Sequence, residues 1–330
     1  YTHMNGGENA LGNGEINIRE TSGTIAGSFG SVLIGRSLGI HQSNAILNDM
    51  LLFGVGAGAS AGNSNTTLGR IGVGYLYTDF QPMVAWTLPD LGNGFGAKIG
   101  IFDPKDVVAD TVANSATDHA APRVEAQITW NGDILQTGIS MNLWVDGTYQ
   151  YTGRTEAEAV SRKSVDVGTH NTMAGVDEDH DSVESAGVGF GTKLSYEGFS
   201  LVATGFYAHG LGMRGQHSVF PIRQTGNAGA APASTGALDD HGKERKSYGG
   251  YIQGTFDFGQ GTNVGYSYGG NYMRMTGADF NNLGTTLANT MHSAMIWHNV
   301  TDNFRLIAEG GFSEKSWYLA DDDQEDSFGG

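Results

Sequence analysis

The few residues whose types and spacing could do chemistry lack the setting that chemistry needs. Gly58-Ala59-Ser60-Ala61-Gly62 matches the G-x-S-x-G turn of a nucleophilic serine, and Gly54-Val55-Gly56-Ala57-Gly58 has the glycine spacing of a dinucleotide loop. A serine elbow needs a strand before it and a helix after it, and a dinucleotide loop needs a βαβ unit. Neither stretch has that context, so both read as loop. Asp177, Asp179 and Asp181 open with calcium-loop spacing, but Ser182 stands where the turn needs glycine and Val188 where a bidentate glutamate belongs. His209, His217 and His241 lie near one another without an H-E-x-x-H spacing. No catalytic residue, resident cofactor or metal site is expected. What remains is charge placed on extended segments, where Arg19, Lys98 and Arg123 each oppose a row of apolar residues.

Those segments alternate with period two. From Arg123 to Trp130, the residues Val124, Ala126, Ile128 and Trp130 share one face, while Arg123, Glu125, Gln127 and Thr129 share the other. The next segment sets Ile139, Met141, Leu143 and Val145 against Ser140, Asn142 and Asp146; Phe95 to Phe102 sets Ala97, Ile99 and Ile101 against Lys98. Ile252, Phe256 and Phe258 oppose Gln253, Thr255 and Asp257; Leu306 and Ala308 oppose Arg305 and Glu309; Ile16 and Ile18 oppose Asn17 and Arg19. Each is a half-polar strand with its charges on one side.

Twelve such segments are joined by connections that alternate between short and long. The short ones are about 27–30, 89–94, 132–136, 197–198, 259–261 and 301–302, and the long ones about 38–79, 103–122, 152–185, 210–245, 276–287 and 314–326. A barrel in an outer membrane keeps tight turns on the periplasmic side and long loops outside. The expected fold is therefore all-β, a transmembrane antiparallel up-and-down β-barrel forming one domain. Residues 69 to 88 are expected to form a single extended passage, interrupted near Pro82 by the loss of a ladder donor.

Composition agrees. The 330 residues have a mean hydropathy of −0.26, with 52 Gly, 6 Pro, 13 Tyr, 15 Phe and 5 Trp, and no apolar run reaches the ~18 residues of a spanning helix. Alternating strands hide half their apolar content, so a low mean does not argue against a membrane barrel. Aromatic residues gather near segment ends, among them Phe102, Trp130, Tyr149, Tyr207, Tyr248, Phe258, Tyr272, Trp297 and Phe312; two interfacial girdles are expected. Zero cysteine excludes thiolate metal sites and iron–sulfur clusters. A net charge of −17 argues against nucleic acid. The acids concentrate in 152–185 and 314–326, where an acidic rim beside anionic lipopolysaccharide would bind divalent cations loosely; the plainer reading is that these charges solvate exposed loops. The chain opens in a Gly/Asn-rich stretch and stops at Ser327-Phe328-Gly329-Gly330 as another strand begins. A closed barrel leaves no edge unpaired in lipid, so further sequence is expected at both ends.

Gly27-Ser28-Phe29-Gly30-Ser31-Val32-Leu33-Ile34-Gly35-Arg36 resembles the general trimeric porins of Gram-negative bacterial outer membranes, in which a short turn leads to a strand ending in Gly-Arg and then to a long loop. With 15–26 numbered as the fourth strand and 31–37 as the fifth, 303–313 is the fifteenth and the Ser327 segment the sixteenth. The resemblance thus implies sixteen strands, a homotrimer, and an inward-folded constriction loop at 38–68 that carries Asp49. It further implies that loop acids face a ladder of wall cations across the pore. Parity assigns Arg19, Lys98 and Arg123 to that ladder. Arg36 shares parity with Val32 and Ile34, so it joins only through a bulge or a position above the lipid; Arg70 is the weakest member. The function implied is passive diffusion of small hydrophilic solutes and ions. Two other classes stay open: a barrel hydrolase working through Ser60 or loop His and Asp groups, and a surface scaffold or adhesin using its acidic loops.

Overall fold

The computed structural model describes residues 2–5, 15–54, 56, 69–107, 116–134, 137–154, 182–218, 236–239, 242–277, 279, 286–317 and 325–329. Fifteen strands run through them: β1 Thr2–Asn5, β2 Glu15–Ile18, β3 Thr21–Gly27, β4 Gly30–Leu38, β5 Phe80–Thr87, β6 Phe95–Phe102, β7 Arg123–Asp133, β8 Ser140–Gly153, β9 Ser182–Tyr196, β10 Phe199–His209, β11 Lys246–Asp257, β12 Thr262–Arg274, β13 Thr286–Thr301, β14 Phe304–Trp317 and β15 Glu325–Gly329. Strands β3 to β15 form one 13-stranded sheet in which each pairs with its sequence neighbours, and β1 and β2 form a separate pair. Every pairing is antiparallel. Helix is confined, among the described residues, to α1 (Ser43–Leu47) and short 3-10 turns. No helix is long and apolar enough to cross a membrane; the crossing is made by strands.

The alternation sets which face each residue takes. On β8, Leu143, Val145, Tyr149 and Tyr151 are exposed while Trp144, Asp146, Thr148, Gln150 and Thr152 are buried. β11 and β6 repeat this with Ile252 and Phe256 out against Tyr251 and Gln253 in, and Ile99 and Ile101 out against Phe102 in. Large apolar side chains on the outside and polar ones inside invert the soluble pattern, as lipid around a barrel requires. Aromatics mark both borders of the apolar band. Tyr207, Tyr248 and Tyr272 stand in one cross-strand row toward the long-loop end, the last two stacked at 5.4 Å. At the short-turn end the Trp86 indole donates to the Phe29 carbonyl and that of Trp130 to the Asn93 carbonyl. Tyr248 and Phe258 lie ten positions apart, and at ~3.3 Å per residue and a tilt of ~40° that spans about 25 Å, the height of an outer-membrane belt. The β9–β10 turn is two residues long, with Glu197 at φ 43 and Gly198 at φ 85, the left-handed pair that matches strand twist.

The chain departs from its sequence reading at several places. Residues 15–26 are not one strand: they break at Arg19 and Glu20, so β2 pairs β1 while β3 begins the wall. Residues 69–78 form turns and isolated bridges, and only Phe80–Thr87 is strand. Pro82 lies inside that strand because its carbonyl accepts from Asp103 just beyond the β5–β6 ladder, which starts at Met83; the missing N–H falls at a ladder end. Phe102 and Trp297 do not join the girdles. Phe102 packs inward with Ile40, Met83 and Ala85, and Trp297 packs against a cluster of Leu51, Val73, Met291 and Met295. β14 continues through Trp317, past the point where a loop was expected at 314.

The sheet curls around a segment of its own chain. Residues 39–54 and 56 reach Glu125 on β7, Asp146 on β8, Tyr251 and Gln253 on β11 and Glu309 on β14. A flat sheet could not present strands so far apart in order to one short segment, so the inner polar face encloses it as a barrel wall.

Candidate functional site

Two inward stretches fill the interior, one described at 39–54 and 69–79 and the other at 210–218, and the wall grips both through inward polar side chains. Two carboxylates take the entering strand end. Glu125 Oε2 accepts from the backbone N–H groups of Ile40 at 2.7 Å and His41 at 2.9 Å, and its other oxygen lies 3.2 Å from Arg123 Nε. Asp146 Oδ1 accepts from Gln42 N at 3.0 Å and meets His41 Nδ1 at 2.6 Å. Gln42 has φ 66, so the chain turns sharply there into α1. Gly187 and Gly189 on β9 make the room: a Cβ on the first would press on His41 and Leu211, and on the second would run into the Gln42 amide and the Asp146 carboxylate.

Beyond α1 the grip passes to neutral groups. The Tyr251 hydroxyl donates to the Ala45 carbonyl at 2.7 Å, while Gln253 accepts from Met50 N at 2.8 Å and donates to Asn48 O at 3.0 Å. Asn271 on β12 accepts from Gly74 N and donates to the carbonyls of Tyr75 and Met213, joining both inward segments. Tyr77 N donates to Arg214 O at 2.8 Å, and Gln216 reaches the His41 carbonyl at 3.3 Å. Apolar clusters complete the seal: Ala45, Ile46, Ile71, Tyr75 and Tyr77 pack on Trp144, Val202 and Tyr251 of the wall.

The five residues expected to line a constriction are not brought to one opening. Arg19 sits in the break between β2 and β3, buried, with its guanidinium 5.6 Å from the centre of the Phe80 ring. Arg36 is opposite exposed Pro82 and Thr21 in register, on the outward parity beside Gly35 at φ 135, with its Nε buried and without a hydrogen-bond partner among the described residues. Lys98 faces inward opposite Gln127 and Thr87. Arg123 is fully buried, paired with Glu125, donating to Gln81 and lying 5.0 Å over Phe102. Asp49 points into its own loop, where it accepts from Leu51 N at 3.0 Å, Arg70 N at 2.8 Å and the Tyr75 hydroxyl at 2.9 Å. Burial raises its carboxyl above the ordinary range although the Arg70 charge and these donors oppose the shift. The same burial lowers Arg70 and raises Tyr75.

The residues that assemble the interior are therefore largely others: Glu125, Asp146, Tyr251, Gln253, Asn271 and Glu309. Parity marks all of them as inward, and the signal that could have singled them out is size and hydrogen-bonding capacity at inward positions among glycines. Open space lies toward the short-turn end, where a cleft of about 470 Å³ is lined by Asn48, Lys193, Ser200, Gln253 and Thr255. At the opposite end folded loops lie over the rim. Arg245 pairs with Asp279 and donates to Leu238 O at 2.7 Å, and Lys105 pairs with Asp79 at 2.5 Å.

The chemistry weighed for other functions finds little here. Ser60, His241 and the acids from 156 to 181 lie outside the described residues, as do the side chains of 321–326. His41 and Asp146 form an oriented imidazole–carboxylate pair, but His41 Nε2 is buried without a hydrogen-bond partner, so no described hydroxyl stands where a nucleophile would. His217 is buried, and burial, then the nearby Arg123 and Lys105 charges, holds it well below the usual histidine range. No metal-binding group of three or more side chains occurs among the described residues.

An antiparallel up-and-down wall, apolar outside between two aromatic borders and polar inside, is the architecture of a bacterial outer-membrane β-barrel. As a sequence the chain matches no family model and no curated protein. As a fold it is similar to the outer membrane channel DcaP of Acinetobacter baumannii, with a TM-score of 0.60 at 12% identity over 99% of this chain and 76% of that one. A weaker likeness, with a TM-score of 0.46 at 11% identity over 95% of this chain and 76% of the other, is to OmpT, an outer membrane protein of Vibrio cholerae.

Proposed function

We propose that the protein is an outer-membrane channel, a homotrimer, through which small hydrophilic solutes and ions diffuse passively. The observation that carries this reading is the interior: a wide polar wall narrowed by an inward segment clamped to β7, β8, β11, β12 and β14. A barrel built only for anchorage or display has no need of an inner segment held from so many directions. A sheet of at least 13 strands closes around more space than side chains alone can fill, and the inward segment then sets the width of the path that remains. Sixteen strands and the homotrimer come from the porin resemblance, and the likeness in fold to an outer membrane channel agrees with the reading. Lipopolysaccharide is the neighbour expected at the long-loop rim.

Planar-bilayer recording with an ion gradient tests it. Stepwise conductance in groups of three is expected, and Lys98→Ala should move the reversal potential toward cations because an inward charge is lost. A protein that refolds and inserts yet never conducts would overturn the proposal.

A further inference from the structure

The outer face of the wall carries an arrangement that a channel for solutes does not need. His209, Lys246 and Arg274 stand directly opposite one another on β10, β11 and β12, in one cross-strand row. Their neighbours Ala208, Ser247 and Met273 are buried, so parity turns all three basic side chains outward. The row lies two residues beyond Tyr207, Tyr248 and Tyr272 toward the long-loop end. That aromatic border is where acyl chains give way to headgroups. Lys246 and Arg274 are exposed, so basic charge is held at headgroup height outside the barrel.

Like charges directly opposite on neighbouring strands repel, and Lys246 and Arg274 form no ion pair among the described residues. Two carboxylates lie in the vicinity, and both are placed elsewhere. Glu244 Oε2 is 4.0 Å from His209 Nε2 and its Oε1 takes the Glu184 N–H at 3.4 Å, which commits it to the β9–β10 side. Glu314 is outward on β14, two strands from Arg274 and in the row of Gly270, four residues lower. The two cations rest on an aromatic base. Arg274 lies over the Tyr248 ring, 5.8 Å from its centre, and the Tyr248 and Tyr272 rings are stacked at 5.4 Å. In a chain of net charge −17, whose acids an anionic membrane surface repels, this is a place where such a surface is attracted instead.

We propose that Lys246 and Arg274, flanked by His209 and seated on Tyr248 and Tyr272, form an external site for a phosphate of lipopolysaccharide, the phosphorylated glycolipid of the outer leaflet. A planar guanidinium offers two parallel donors to a phosphate and an ammonium adds a point charge beside it, while the tyrosine rings meet the sugar and the upper acyl carbons below. One phosphate between the two cations turns their repulsion into shared attraction. The contact is direct and needs no divalent cation, unlike bridging at the acidic loops. It rests on the reading that the long loops face outward, and not on conduction.

Native mass spectrometry of the detergent-folded protein, titrated with diphosphoryl lipid A in the presence of a chelator, tests it. Saturable binding is expected, weakened at least tenfold in the double variant Lys246→Gln/Arg274→Gln and weakened as much for the parent when the lipid A carries no phosphate. Arg305→Gln, at the short-turn end of β14, should bind as the parent does. Without lipid A the double variant should unfold at the same temperature as the parent or a higher one, because a repulsion has been removed; a lower temperature would make the pair a structural feature and overturn the proposal. Equal binding of dephosphorylated lipid A, equal loss in Arg305→Gln, or displacement of lipid A by an equal concentration of inorganic phosphate would also overturn it. So would dissociation of an oligomer in the double variant, which would assign this face to a second copy of the chain. A protein that conducts but shows no phosphate-dependent binding loses the site and keeps the channel reading; one that binds through the pair and never conducts does the reverse.

Discussion

Single side chains in this interior act chiefly as anchors. Glu125 is the most heavily committed, with one oxygen on two backbone donors and the other on Arg123. Glu125→Ala strands a buried guanidinium as well as two N–H groups, so thermal unfolding should register a loss of about 3 kcal/mol or more, the usual range for breaking a buried pair. Glu125→Gln retains an acceptor and should cost less. His217 carries a pH dependence of known sign. Its folded pKa lies below the ordinary 6.5, so the fold prefers the neutral ring, and the stability it contributes is complete above pH 6.5 and lost as pH falls below it. Amide protection factors over 210–218, corrected for the intrinsic pH dependence of exchange, should fall between pH 7 and pH 5, and His217→Gln should flatten that response. Asp49 works in the opposite sense. Its raised pKa means the folded state favours the protonated acid, so its contribution is present at low pH and declines as pH rises through the folded value.

At the level of elements, the inward segment is a fixed fitting, because uncharged hydrogen bonds and apolar packing hold most of its length. Gln253 alone makes two of those bonds. Removing it in Gln253→Ala should leave the sheet intact and free the end of α1, seen as noisier and larger single-channel conductance. Gly189 is the complementary test. A side chain there would displace the Gln42 amide and the Asp146 carboxylate, so Gly189→Val should shift the segment and change conductance more than it changes the unfolding temperature. If Gly189→Val conducts as the parent does, the segment does not set the width of the path.

For the whole molecule, lipid is the solvent that makes the alternation obligatory. Val145 is exposed on β8, five positions above the strand start and so near the middle of the belt. Val145→Arg should lower the stability measured by reversible unfolding from vesicles by about 2–4 kcal/mol. Gln127→Arg, on the inward face of β7 beside Lys98, should change stability by about 1 kcal/mol or less and shift ion preference instead. Equal penalties at the two sites would contradict the assignment of faces.

Most of the wall was legible in the residues. The period-two pattern identified the inner and outer faces of β6, β7, β8 and β11, and the rhythm of short and long connections identified the up-and-down order, because both are local consequences of strand geometry and of which end meets water. The interior was not legible in the same way. That Asp49 turns onto Tyr75 and Arg70, that Glu125 spans to Ile40, and that residues 69–78 fold inward instead of extending β5 depend on contacts between positions far apart in the chain. Parity says only that a side chain faces the lumen. Which partner it finds there is decided by the curl and stagger of the sheet and by how the inward segments pack, and those exist only once the barrel has formed.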